Sequence, residues 1–375
     1  MSDAPAKRYW LFSAPVDLSV FLGSAVLALG LLVLGGALGI LHSDSPSWTW
    51  VAVILLIDVA HVWSTIFRVY LDSDVFRERR FLYIAAPLGC FATGVVLYSI
   101  DAMLFWRVLA YMAVFHFVRQ QYGWVRLYRG RLGESDRFGH WFDGIVIYAA
   151  TVFPLLWWHA HLPREFWWFL VGDFRQLPTI VAQIAEPIYW ALMAAYVVRA
   201  GYQWLGRGHV NPGKHIVVVT TAVCWYVGII AYNSDYAFTV TNVVIHGIPY
   251  FALIYWYGRG RYRAGKGGAA MRAFRYGPWL MFLVIWVLAF CEELLWDKGV
   301  WHERSWLFGS GLDASSWRVW LVPLLATPQA THYVLDGFIW RRGSNPELAV
   351  LSASAKPTVR SAPGKGQAAS PDRSA

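Results

Sequence analysis

Ten long apolar runs divide this chain of 375 residues and limit what it can fold into. Each run holds roughly 18 to 25 mostly apolar residues, the length that an α-helix needs to cross a bilayer. Because backbone groups in hydrocarbon must satisfy their own hydrogen bonds, such runs predict helices. We therefore expect an all-α, polytopic integral membrane protein with about ten transmembrane helices. The runs cover 18–41, 49–71, 81–99, 103–125, 141–158, 178–199, 214–232, 236–257, 278–297 and 317–340.

The composition agrees with this class. Hydrophobic residues make up 57% of the chain and charged residues only 15%, whereas soluble domains carry about 25% charged residues. The net charge of +9 comes from basic loops, so we predict the lipid bilayer as a partner and no nucleic acid. The cysteines Cys90, Cys224 and Cys291 lie in apolar runs without a CxxC pair, which argues against a disulfide framework.

The loops between the runs alternate in charge, and this alternation predicts the orientation. Lys and Arg mark the cytoplasmic side of membrane proteins. Both termini are then cytoplasmic, in a multi-pass protein of the cell (inner) membrane. The basic loops are 76–80, 126–137, 199–214 and 258–275.

Three regions follow from this pattern. We predict a cytoplasmic N-terminal segment at 1–17 and a ten-helix transmembrane domain at 18–342, with aromatic outer loops near 157–177 and 298–317. From residue 343 the chain is rich in Ser, Pro, Ala and Lys without periodicity, so 343–375 is predicted to be a disordered cytoplasmic tail.

Four of the predicted helices each carry a histidine at a similar depth. His61, His116, His246 and His332 lie about 10 to 15 residues from the outer ends of their runs, or roughly 15 to 23 Å at 1.5 Å per residue. A polar group inside a membrane is costly and is by default a functional hypothesis. Four histidines at one depth predict a shared site in which all four are metal ligands.

Carboxylates and amides accompany these histidines at one-turn spacing. Asp58 precedes His61 by three residues, and Asp336 follows His332 by four. Each carboxylate can serve as a ligand or as a group that orients a ligand ring, and the spacing fits both roles. Gln120 and Asn242 are predicted to donate hydrogen bonds to bound oxygen or to a substrate carbonyl, which completes a catalytic set of Asp58, Gln120, Asn242 and Asp336.

Further features predict a cavity with a charged cytoplasmic mouth. Pro249 and Pro328 lie close to two of the histidines and are expected to kink their helices. Arg68 and Arg119 lie on the cytoplasmic side of the histidines, where they are predicted to bind an anionic substrate head group. In the second run, steps of 3, 4, 3 and 4 predict one polar stripe on a single helix face, made of Asp58, His61, Thr65, Arg68 and Asp72.

Imidazoles with nearby carboxylates suit iron, zinc, copper or manganese. The leading hypothesis is an integral-membrane oxidoreductase that uses non-haem iron on a lipid or isoprenoid-like apolar substrate, with an electron-donor protein as a possible partner. Zinc and haem b are alternative cofactors. Alternative functions are a proton- or ion-coupled transporter, a haem b electron-transfer protein and a membrane acyltransferase that uses His246 with Asn242.

Overall fold

The computed structural model describes residues 9–42 and 45–348, apart from the side chains of Arg207 and Arg342. This part of the chain forms helices and connecting turns and contains no β-strand. Ten long helices follow one another: α1 (Ala14–Ala37), α2 (Ser47–Phe67), α3 (Arg80–Ile100), α4 (Ala102–Leu132), α5 (Arg137–Ala160), α6 (Thr179–Gly206), α7 (Pro212–Ala231), α8 (Asp235–Arg263), α9 (Trp279–Trp301) and α10 (Arg318–Ile339).

Each predicted run forms one of these helices. Among the described residues, nine helices, α1 to α9, are long and apolar enough to cross a membrane. The tenth, α10, has 22 residues but is more polar, since it carries Gln329, His332 and Asp336. An all-helical membrane protein with many apolar helices is thus confirmed. The type of membrane and the side on which each terminus lies remain predictions.

Three helices run further than the sequence pattern predicts. Their carboxyl ends lie at Leu132, Gly206 and Arg263 instead of 125, 199 and 257, while every other end agrees within four residues. The extensions of α4 and α8 are rich in arginine, a good helix former that an apolarity pattern does not register. After α4, Gly133 with φ of 69° ends the helix in the left-handed conformation that glycine adopts easily.

The predicted N-terminal segment is shorter than expected. Helix α1 begins at Ala14, four residues before the predicted start, because Ser13 Oγ accepts a hydrogen bond from the backbone N–H of Val16. Residues 1–8 of the predicted segment lie outside the described part of the chain.

The predicted disordered tail also begins too early. Residues 343–348 belong to two short 3₁₀ turns that fold back on the bundle. The Glu347 carboxylate lies 2.6 Å from the Arg68 guanidinium. The Asn345 side-chain amide donates to the carbonyls of Phe338 and Arg341, so it caps the end of α10. These contacts hold the segment in place, and the rest of the predicted tail, 349–375, lies outside the described residues.

The two described ends of the chain meet at the same end of the bundle. Near the N-terminus, the Phe12 ring lies 5.1 Å from the Trp256 ring at the end of α8. Near the C-terminus, the Trp340 ring lies 6.5 Å from Tyr257, one residue further along α8. We call this the basic end, where α2, α4, α8 and α10 finish. The opposite end is where these four helices start.

Helix α8 lies at the centre of the bundle. In the most apolar stretch of α8, 89% of the residues are buried, compared with 11% in the corresponding stretch of α3. It packs closely on α2 because Gly247 has no side chain: a Cβ atom there would lie 2.5 Å from Cγ2 of Ile57. This close approach brings the neighbour of Gly247, His246, towards the histidine of α2.

The two aromatic loops cover the opposite end of the bundle. The Trp168 ring packs on Phe117 of α4 at 5.0 Å and on Phe238 of α8 at 5.6 Å. Trp306 and Trp317 of the second loop stay exposed, as expected for aromatic side chains at a membrane interface.

Candidate metal centre

Four helices bring one histidine each to a single point in the bundle. The side chains of His61, His116, His246 and His332 are all at most 4% exposed. The Nε2 atoms of His61 and His246 are 3.1 Å apart, and those of His116 and His332 are also 3.1 Å apart. The two pairs adjoin, because His61 lies 5.0 Å from His332 and His116 lies 5.0 Å from His246 between ring centroids. We call this group the histidine cluster.

The geometry of the histidine cluster suits a metal ion. Imidazole nitrogens bind first-row metals at about 2.1 Å, so two nitrogens 3.1 Å apart subtend about 95° at the ion. Three ligand atoms, from His61, His116 and His332, all lie within 4.8 Å of one another. The fourth ring, His246, faces His61. The same 3.1 Å also fits a hydrogen bond in which one ring donates to the other, so the spacing has two chemical interpretations.

The carboxylates approach the other side of the rings. Asp58 lies 3.6 Å from Nδ1 of His61, and Asp336 lies 3.7 Å and 3.8 Å from Nδ1 of His116 and His332. These contacts are to the nitrogens that face away from the paired Nε2 atoms. Asp58 and Asp336 are therefore placed to orient the rings and to interact with their charge, which favours the second of the two roles that the sequence leaves open.

Two hydroxyl groups that sequence reasoning did not assign to the site link these parts together. Thr65 Oγ1 lies 2.7 Å from Nδ1 of His332 and 3.1 Å from the Tyr250 hydroxyl. Tyr250 in turn donates to Asp336 Oδ1 at 2.8 Å. Thr65 and Tyr250 each follow a cluster histidine by four residues, and this one-turn spacing is the signal that finds them.

Both predicted amide donors form hydrogen bonds within the protein. The Gln120 side chain donates to the backbone carbonyl of His246 at 2.8 Å, so it supports the backbone of α8. The Asn242 side chain donates to the carbonyl of Phe238 at 2.9 Å. Asn242 uses both of its N–H groups, on the Phe238 carbonyl and on Thr241 Oγ1, so it is not placed to donate to bound oxygen or to substrate. Gln120 uses one of its two N–H groups, and its predicted role stays a prediction. The free atom of Asn242 is an acceptor, because its buried Oδ1 has no hydrogen-bond partner among the described residues.

The predicted head-group arginines do not form a mouth. Arg68 is fully buried, pairs with Glu347 and donates to the carbonyl of Ile339 at 2.8 Å. Arg119 is exposed on α4, where it donates to the Tyr148 hydroxyl. The chain after α10 folds back and occupies the Arg68 guanidinium, and a role of either arginine in head-group binding stays a prediction.

The single polar stripe predicted for the second run is also divided. Helical hydrogen bonding ends after Arg68, and Asp72 instead caps the next short helix, Ser73–Glu78. Asp72 receives bonds from Tyr257 and Arg261 at 2.6 and 2.7 Å. On the other side of His61, a π-helical segment, Trp50–Val59, places Asp58 in its last turn. Such segments are rare and frequently occur at functional sites.

A cavity of about 1040 Å³ lies at the end opposite the basic end and approaches the histidine cluster, although none of the four histidines lines it. Its rim comes from the loops that join the long helices, and its inner part reaches Asp58, Asn242 and Gln329. This cavity therefore does not open at the basic end, where we predicted a charged mouth, and the tail segment and the ion pairs of Arg68 and Asp72 occupy that end. Which end faces the cytoplasm stays a prediction. The prolines do not break their helices, since α8 continues through Pro249 and α10 through Pro328.

No protein-family model, no curated protein and no solved structure matches this chain. Its class is defined by its own fold and site: a polytopic membrane protein in which four buried histidines from four helices meet below a large cavity.

Proposed function

We propose that this chain is an integral-membrane, metal-dependent oxidoreductase whose metal ion is held by His61, His116, His246 and His332. The observation that carries the proposal is the approach of four imidazole rings, each on a separate helix, in two Nε2 pairs of 3.1 Å. Four buried imidazoles whose Nε2 atoms face one another are costly without a common partner, and a shared metal ion would compensate that cost.

The spacing favours an open metal site over a closed structural site. Four nitrogens bound tetrahedrally at 2.1 Å would lie about 3.4 Å apart, as in structural zinc sites. A nitrogen–metal–nitrogen angle near 95° instead fits a coordination geometry with more than four positions. Some of these coordination positions are then free for reactants. Iron without haem fits this donor set, and in such a site it supplies the redox chemistry of oxygen activation.

The cavity supplies a route for an organic substrate. Aromatic side chains line it, among them Trp106, Phe117 and Trp296, and its volume is within the range of sites for small molecules. We assign it to a substrate with an apolar, lipid-like or isoprenoid-like body. Oxidation of such a substrate needs an external electron acceptor or donor, so an electron-transfer protein is the implied partner.

Two of the alternatives agree less well with the geometry. Haem b needs two histidines on opposite faces of a flat macrocycle, and four rings gathered at one point occupy the space that it requires. An acyltransferase would pair His246 with Asn242, but the Asn242 amide donates to the backbone of its own helix, and the His246 ring stacks on Phe117 at 3.6 Å.

A coupled transporter is the second candidate, and the carboxylates of the cavity favour it. Asp58, Glu292 and Glu293 line one cavity, and Asp58 lies 3.6 Å from Nδ1 of His61, as expected of a proton or cation path that ends at the histidine cluster. Proton flux in liposomes that contain the protein, driven by a substrate gradient, would support this candidate.

Metal analysis of the purified full-length protein tests the leading proposal. We expect near-stoichiometric iron without a Soret band, and loss of that iron in His332→Ala and His116→Ala. The matched control is His159→Ala, because His159 is also buried in a long helix, but its side chain bonds only to Leu155 and Tyr111 among the described residues. Wild-type protein that contains no metal, or iron that survives both substitutions, would disprove the proposal. Stoichiometric zinc without iron would support the metal site and contradict the proposed redox chemistry.

A further inference from the structure

The cavity above the histidine cluster has a charge opposite to that of the chain. The chain carries a net charge of +9, yet Arg304 is the only Lys or Arg residue that lines this cavity in the described part of the chain. Carboxylates focused in a low-dielectric cleft raise the local concentration of cations. The acidic residues that line the cavity are Asp58, Glu165, Asp235, Glu292, Glu293 and Glu303.

The inner carboxylates differ in how they are engaged. Glu292 accepts hydrogen bonds from the indole N–H groups of Trp63 and Trp296, at 2.6 and 3.3 Å. The side chain of its neighbour Glu293 forms no hydrogen bond or ion pair with any residue of the described ranges, and only its backbone carbonyl accepts a bond, from Asp297. Asp58, whose side chain is 25% exposed, completes the acidic wall next to His61. Glu293 is therefore the carboxylate that is available to a ligand.

A second, independent feature points to the same kind of ligand. Asn242 also lines the cavity, is 2% exposed, and has a buried Oδ1 without a partner among the described residues. Its N–H groups are turned towards Phe238 and Thr241. The inner cavity thus offers acceptors from Asp58, Glu293 and Asn242, and the complementary group is a donor with positive charge.

The aromatic wall already holds a cation of the protein itself. The Arg304 guanidinium lies 4.1 Å from the centre of the Trp50 ring, and both residues line the cavity. Cations bind to the faces of tryptophan rings in this way. Tryptophan is abundant along the cavity, where Trp106, Trp168, Trp296 and Trp301 also contribute. A volume of about 1040 Å³ is far larger than a bare metal ion needs and suits an organic molecule.

We propose that this cavity binds an organic cation, a molecule with an apolar body and a protonated or quaternary amine, with the amine at Glu293 and the body against the tryptophans. The inference rests on the proposed function only where it makes this molecule the substrate of the metal centre. The binding itself is independent of any metal.

Three water-soluble probes of similar size test the proposal: phenethylammonium, the neutral 2-phenylethanol and the anionic 3-phenylpropionate. Binding is measured by calorimetry on the full-length protein in lipid nanodiscs, with empty nanodiscs subtracted. We expect the cation to bind at least tenfold more tightly than the alcohol, a difference of about 1.4 kcal/mol, and the anion not to bind. Raising the salt concentration should weaken the binding of the cation and leave the binding of the alcohol unchanged.

Substitutions locate the site. Glu293→Gln should lower the affinity for phenethylammonium about tenfold, the size of one lost charge contact, and leave the affinity for 2-phenylethanol unchanged. The matched control is Glu186→Gln, because Glu186 is a carboxylate in the long helix α6 that does not line the cavity. Thermal unfolding confirms that both variants fold. Equal binding of the cation and the alcohol, or an unaltered cation affinity in Glu293→Gln, would overturn the inference.

The metal content of the same samples separates the two proposals. Iron without selective binding of the cation contradicts the organic-cation site and leaves the metal centre in place. Selective binding of the cation by a protein without metal supports the cavity proposal and contradicts the oxidoreductase.

Discussion

Two clusters of polar side chains are buried in this bundle, and they differ in composition: one combines opposite charges, and the other brings together four side chains of the same type. At the basic end, Arg129, Glu134, Asp143 and Lys214 form an ion network between α4, α5 and α7. Lys214 lies 2.8 Å from Glu134 and 3.0 Å from Asp143, and Arg129 contacts both carboxylates. In the histidine cluster, all four rings are of one kind, and the carboxylates stay 3.6 to 3.8 Å away.

The contacts within the ion network are those of a structural cluster. In the ion network each charge meets an opposite charge at hydrogen-bond distance, although Arg129 Nε has no hydrogen-bond partner among the described residues. In the histidine cluster, Nδ1 of His61 and Nδ1 of His246 have no hydrogen bond among the described residues. A buried polar group without a partner calls for an explanation, and a functional site is one such explanation. We therefore expect the ion network to act on stability and the histidine cluster to act on the proposed function.

The largest expected effect comes from opening the ion network. Lys214→Met leaves Glu134 and Asp143 with less counter-charge in a buried place, so the free energy of unfolding should fall by about 3 to 5 kcal/mol. Denaturant unfolding in detergent measures it. The exposed Lys266→Met is the control and should be neutral. If metal content per folded chain also falls in Lys214→Met, the two clusters are not separate.

A smaller loss is expected where α8 packs on α2. Gly247→Ala places a Cβ atom 2.5 Å from Ile57, so the overpacking should cost about 1 to 3 kcal/mol and lower the metal content by moving His246 away from His61. Ile57→Ala in the same chain should restore both properties. Gly123→Ala is the control, because no atom lies within 4 Å of its Cβ position. Failure of the rescue would mean that the Gly247 contact does not set the position of His246.

Tyr250→Phe should lower the affinity for the metal and leave the stability of the fold unchanged. It removes the hydroxyl that joins Thr65 to Asp336, and loss of such an outer partner typically lowers metal affinity about 10- to 100-fold. Competition with a chelator of known affinity measures this change. Tyr255→Phe on the same helix is the control. Equal metal affinities in the two variants would show that the hydroxyl chain does not orient the histidines.

The smallest effect is a pH dependence of the ion network. Burial raises the pKa of Glu134, but Lys214 and the bonds from Asn211 and His209 outweigh it and hold that pKa below its ordinary value. Glu134 therefore contributes its full stabilisation above about pH 4.3, and this contribution is lost as the pH falls through the lowered pKa. We expect Glu134→Gln to flatten the fall in melting temperature between about pH 5 and 3. An unchanged slope would contradict this role.

Much of the fold could be predicted because membrane helices are coded by local composition. All ten runs became helices, and four histidines placed at one depth by counting residues do meet. The tail at 343–348 could not be predicted, because its order depends on Arg68 and on the end of α10, which are far away in the sequence. Tyr250 and Thr65 lay one turn from cluster histidines, but only the packing of α2, α8 and α10 shows that their hydroxyls meet.

The sequence by itself determined that this chain is helical and suited to a membrane, and that four helices carry a histidine at one level, since length, apolarity and residue spacing are local properties. The tertiary structure decided which groups meet. It turned Nε2 atoms towards each other and carboxylates towards Nδ1, enclosed Arg68, and placed the cavity at the end opposite the basic loops. These outcomes depend on helix rotation and on contacts such as Gly247 against Ile57, which no single segment of the chain specifies.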